Sequence, residues 1–134
     1  MATPESRAVR GPVVPDYAGA NVSQIVPNCL LQPPGRRPHW FVPELAEARS
    51  ILLLVVDGLG YEQMLRHQHL LPTMSSFGVT PLTTVAPSTT ATALTSITTG
   101  ATPLEHGIVG YRMFVDGTVM NTLRWGSDRA DLRK

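Results

Sequence analysis

The apolar positions of this chain change character at Ser50. Before it they are scattered, chiefly over Val22 to Leu31 and at Trp40, Phe41 and Val42, and eight of the 12 prolines interrupt them. Proline removes a backbone donor and fixes φ, so residues 1–49 cannot hold a long helix or central strand and read as a lead-in draped over a core. Within it, Pro43 to Arg49 fits a short helical turn. After Ser50 come six consecutive apolar residues, Ile51 to Val56, closed by Asp57, Gly58 and Gly60. A run this short and unbroken suits a strand buried on both faces, as in a parallel sheet covered by helices. Tyr61, Met64, Leu65 and Leu71 then mark a helical stripe stopped by Pro72. Leu82 to Val85 predicts a second strand, and Ala91, Leu94, Ile97 and Ala101 trace a helix face ending near Gly100, with Pro103 beyond it. Tyr111 to Val115, the pair Asp116 and Gly117, and Thr118 to Asn121 predict a two-residue hairpin.

Strand, helix, strand, helix is the order of an α/β fold with a mostly parallel sheet and helices on both faces. At 134 residues the chain holds one domain at most, which places it at residues 50–134 behind the lead-in. The charge balance, 11 basic against 10 acidic side chains, leaves no electrostatic footprint for a nucleic-acid polymer. No apolar run approaches the roughly 20 residues of a transmembrane helix. Met1 to Arg10 lacks an apolar signal-peptide core, so a cytoplasmic location is expected, and Cys29 stands alone without a disulfide partner. Ten of the 23 residues from Thr80 to Thr102 are threonine. An O-glycosylated stalk would have that composition, but the helical spacing of Ala91, Leu94 and Ile97 argues against it.

In open α/β sheets, function gathers just beyond the carboxyl ends of the strands. Here those positions are Asp57 and the Ser88, Thr89, Thr90 group. A carboxylate at the end of an apolar strand is costly to bury unless paired or bound to a cation; the alternative is that Asp57 caps the following helix. The hydroxyls of Ser88 to Thr90 open a helix whose first amides and positive dipole end attract anions such as a phosphate ester. Threonine is a weak nucleophile that needs a base or a metal beside it. No His or Cys lies within a few residues, so a reacting Thr90 requires a divalent ion, with Asp57 the nearest candidate ligand by topology. The alternative is a hydroxyl cap without chemistry.

These residues resemble a known family. Asp57-Gly58 after an apolar strand, then Pro87-Ser88-Thr89-Thr90-Ala91-Thr92-Ala93 with Thr99-Gly100, then Pro103-Leu104-Glu105-His106-Gly107-Ile108-Val109-Gly110, is similar to the amino-terminal part of the alkaline phosphatase superfamily, in its type I phosphodiesterase and nucleotide pyrophosphatase branch. The resemblance covers Ser50 to about Tyr111. It implies an α/β catalytic domain and a two-metal phosphoryl-transfer reaction on a small phosphoester substrate. Asp57 would bind one zinc ion, shared with Thr90, and Thr90, ten residues before Gly100, would be the nucleophile. Tyr111 stands where the branch usually has a phosphate-contacting asparagine, so a phenol would donate to the phosphate, or serve as a core aromatic of the hairpin. The five further Asp and His ligands that the family draws from its carboxy-terminal half have no counterpart after Tyr111. Asp116 belongs to the turn, Asp128 and Asp131 to a charged tail, and His39, His67, His69 and His106 sit in settings better suited to loops and helix ends than to ligation. The expectation is a truncated catalytic domain, inactive alone. The rival readings are a phosphomonoesterase or phosphonate hydrolase of the same superfamily, and a non-catalytic α/β binding module in which Asp57 and Thr90 are only caps. A sulfatase is disfavoured, because Thr90-Ala91-Thr92-Ala93-Leu94 lacks the required Cys or Ser followed by Pro and Arg.

Overall fold

A computed structural model describes residues 11–30, 36–127 and 131. The leader Met1 to Arg10, the prolines at 33 and 34 and the tail residue Asp128 lie outside the described residues. The described residues mix helix and sheet: they form five helices, α1 (Ile25–Leu30), α2 (Tyr61–Arg66), α3 (Pro72–Ser75), α4 (Thr90–Thr99) and α5 (Pro103–His106), and three strands, β1 (Arg112–Val115), β2 (Thr118–Asn121) and β3 (Gly126–Ser127). Short 3-10 turns precede α1 at Val22–Gln24, follow α2 at Gln68–Leu70 and occupy Pro43–Ala46, inside the stretch expected to make a helical turn.

The long helix is α4, and its ends follow from its sequence. Thr89 is the N-cap, its hydroxyl accepting from the Thr92 amide, and Gly100 ends the helix in the left-handed region at φ 76°. A Cβ at Gly100 would also stand 2.5 Å from Cγ of Pro27 in α1, so this position demands glycine twice over. Pro72, expected as a stop signal, opens α3 as its first residue, where its missing N–H costs nothing.

The sheet is the main departure from expectation. Among the described residues it is antiparallel, in the order β1-β2-β3, and the mostly parallel sheet with helices on both faces is not formed. Ile51 to Val56 has no strand partner among the described residues, and Thr83, in the second expected strand, makes a parallel bridge to Asn21 of the lead-in. A parallel strand exists only through neighbours that take its N–H and C=O groups. Here Ala20 and Val22 take those of Thr83, through Thr83 N to Ala20 O at 2.8 Å and Val22 N to Thr83 O at 3.0 Å. The apolar run meanwhile stays open on both sides. Leu52 and Leu54 are 95% and 79% exposed, with Ile51, Leu53 and Val55 between 37% and 43%. That alternation is the two-residue period of an extended segment whose faces are both uncovered.

The hairpin forms as expected. Asp116 and Gly117, both at positive φ (49° and 76°), make the two-residue turn, and Arg112 pairs with Asn121, Met113 with Met120, Phe114 with Val119 and Val115 with Thr118. The alternation sends Met113, Val115 and Met120 inward, where they meet Ala91 of α4 and Ile108 in one apolar cluster. The other side of α4 carries the buried hydroxyls of Thr92 and Ser96.

Candidate active site

Asp57 and Thr90 come from chain segments 33 residues apart, and the structure brings their side chains into contact. The Thr90 hydroxyl donates to Oδ2 of Asp57 at 2.8 Å. Gly58 lets the backbone leave Asp57 with φ at 79° before α2 begins. Thr90 is the first residue of α4, half-buried, while Asp57, Ser88 and Thr89 are exposed. The two threonines at this corner have different duties. Thr89 is occupied as a cap, accepting from Thr92 N at 3.4 Å and sharing a 2.8 Å hydrogen bond with the Thr92 hydroxyl. Thr90 points its hydroxyl at the carboxylate. The first amides of α4 have no partner within the helix and bring its positive dipole end to the same corner.

The lead-in holds the segment that delivers Thr90, a role that the sequence pattern did not reveal. Asn21, fully buried, donates through Nδ2 to the Thr83 hydroxyl (3.0 Å) and to the Thr84 carbonyl (3.1 Å), while its Oδ1 caps the following 3-10 turn at Ser23 N. Asp16 N donates to Thr83 Oγ1 at 2.9 Å, and Ala86 N to the Tyr17 phenol oxygen at 3.0 Å. An asparagine ahead of Val22-Ser23-Gln24 is a legible cap signal, but its second grip, 62 residues away, has no local signature.

His106 steadies the far end of α4. Ile108 N donates to its Nδ1 at 3.0 Å, so the proton sits on Nε2, which donates to the buried Ser96 hydroxyl at 2.9 Å. Burial pushes its pKa below the ordinary histidine value, against an opposing pull from Glu105. Through its two hydrogen bonds it ties the Gly107–Ile108 turn to α4. Glu105 completes a capping box at the start of α5, accepting from Thr102 N at 2.7 Å, and that bond lowers its pKa.

Tyr111 is exposed, and its phenol oxygen accepts from Asn121 Nδ2 at 2.8 Å. No hydrogen bond among the described residues joins it to Asp57 or Thr90. The same residues contain no group of three or more His, Cys, Asp or Glu side chains able to hold a metal ion. Asp57 and Thr90 could present oxygen donors to one cation, and among the described residues they fall short of the four ligands of a tetrahedral zinc site. Among the described residues no helix is long and apolar enough to cross a membrane.

The chain matches the family model for type I phosphodiesterase / nucleotide pyrophosphatase over residues 51–131, a span that contains Asp57, Thr90 and Tyr111. No curated protein and no solved structure matches it. Since the match takes in more than half of the sequence and both halves of the Asp57–Thr90 contact, this chain belongs to the type I phosphodiesterase / nucleotide pyrophosphatase family, a family of phosphoric ester hydrolases.

Proposed function

We propose that this protein is the amino-terminal part of a metal-dependent phosphodiesterase or nucleotide pyrophosphatase in which Thr90 is the nucleophile. The carrying observation is the 2.8 Å hydrogen bond from Thr90 to Asp57 at the opening of α4. It gives Thr90 what an isolated threonine lacks, a fixed anionic partner for its proton, and the capping duty of Thr89 leaves Thr90 as the residue of the pair free to react.

In this reading Oγ1 of Thr90 attacks phosphorus in line as its proton passes to Asp57 and on to solvent, the ester oxygen departs on the far side taking a proton from water, and a second water then hydrolyses the phosphothreonine ester. Asp57 orients the hydroxyl before attack. The leading amides of α4 face the negative oxygens that develop on phosphorus. Asp57 and Thr90 would share a divalent ion, zinc by the family resemblance, which when bound lowers the hydroxyl pKa. Its other ligands, and all those of a second ion, would come from outside the described residues, as would the strands that cover Ile51 to Val56. The substrate is then a small phosphoester, and the isolated chain is inactive.

Two measurements test this reading. Zinc titration of the 134-residue chain should give weak binding that Asp57→Ala removes. In a longer polypeptide with a complete metal site, Thr90→Ala should lower kcat on bis-p-nitrophenyl phosphate by at least about a thousandfold. Unchanged kcat in that variant would remove Thr90 from the chemistry.

A further inference from the structure

We propose that the outer face of the three-stranded sheet is a binding site for a dianionic phosphate group, held by the guanidinium groups of Arg112 and Arg124. This inference is independent of any role for Thr90. The hairpin register dictates the face. With Met113, Val115 and Met120 turned into the core, the cross-strand partners Arg112 and Asn121 must turn outward together. Asn121 then reaches forward, its Oδ1 accepting from Leu123 N at 3.2 Å and Arg124 N at 3.1 Å. That bond pair fixes the turn that carries Arg124. β3 closes the third side, with Gly126 opposite Asn121.

The result is a cavity of about 380 Å3 lined by Arg112, Val119, Asn121, Arg124, Gly126 and Ser127. Its size falls within the ~300–1,000 Å3 range of small-molecule sites. Among the described residues no carboxylate lines it. Asp131 bridges to Gly126 through its backbone. Two like charges facing one cavity repel, and an anion between them removes the repulsion while accepting hydrogen bonds from both forks. A phosphate monoester carries close to two negative charges at neutral pH and matches two guanidiniums, where a carboxylate matches one. The space beyond a bare phosphate ion, walled in part by Val119 and Gly126, suits the organic portion of a phosphomonoester.

The test is calorimetric titration of the 134-residue chain at low ionic strength with inorganic phosphate, adenosine 5′-monophosphate, adenosine and acetate. Saturable binding of the phosphate-bearing probes is expected, at least about tenfold weaker for each arginine replaced in Arg112→Gln and Arg124→Gln. The double replacement should abolish it. Tighter binding of the nucleotide than of phosphate identifies a phosphomonoester as the ligand, and equal binding identifies free phosphate. Thr90→Ala should retain the arginine-dependent binding, which separates this site from the proposed nucleophile. In case the double variant fails to fold, phosphate titration of the unaltered chain followed by amide NMR should shift Arg112, Arg124 and Gly126. Absence of saturable binding, acetate binding as tight as phosphate, full affinity in the double variant, or shifts confined to the start of α4 would each overturn the proposal.

Discussion

At the scale of single residues, two hydrogen-bonded pairs have consequences of opposite kind. Asp57 and Thr90 meet at the surface, so breaking their bond should cost the fold little and the chemistry much. Asp57→Asn keeps an acceptor for the Thr90 hydroxyl and removes the charge, and should weaken zinc binding at least about tenfold, read by calorimetry, with an unchanged thermal midpoint. His106 and Ser96 meet inside. Truncating His106 to Ala leaves the Ser96 hydroxyl, 0% exposed, without its partner, and should destabilise by about 1–3 kcal/mol in urea unfolding. The same pair gives a pH signature. The folded His106 has a lowered pKa and binds its proton less readily than in the unfolded chain. Its contribution is therefore complete above the ordinary histidine value, about 6.5, and is lost as pH falls from there through the folded value. A fall of the urea midpoint over that window, absent in His106→Gln, checks the assignment. The meeting of Asp57 with Thr90 was legible because the end of an apolar run and the start of a helix are both marked by local pattern. That of Ser96 with His106 was not, since nothing in the spacing tells a buried serine from an exposed one.

Among the elements, α4 joins the Asp57–Thr90 corner, the hairpin cluster and α1. Its start carries Thr90, Ala91 touches the hairpin cluster, and its end runs against α1 at Gly100 and Pro27. Gly100→Ala should cost about 1–2 kcal/mol from the left-handed backbone alone, and more from the approach to Pro27; a thermal melt with no change would show that the helix does not end there. The helix was legible because capping, periodicity and its glycine all agree. The hairpin was legible for the same reason, with Asp116 and Gly117 imposing the turn. Ile51 to Val56 was misjudged because apolar composition reports a preference for burial, whereas a strand is made by the neighbour that takes its hydrogen bonds. Thr83 found that neighbour in Asn21, which no reading of Leu82 to Val85 in isolation would supply.

For the whole molecule, the exposed apolar strip from Ile51 to Val56 should govern behaviour in solution. An apolar surface of this length draws dye and other copies of the chain. The isolated protein should bind anilinonaphthalene sulfonate and elute in associated form on gel filtration, and Leu52→Glu with Leu54→Glu should reduce both; monomeric elution without dye binding would show the strip to be covered. The grip of Asn21, Tyr17 and Asp16 on Thr83 to Ala86 bears on any attempt to shorten the protein. A version trimmed to begin at Ser50 would retain the entire family match and yet discard the clasp on the segment that leads to Thr90, so what looks like a dispensable preface is part of the scaffolding of the Asp57–Thr90 corner.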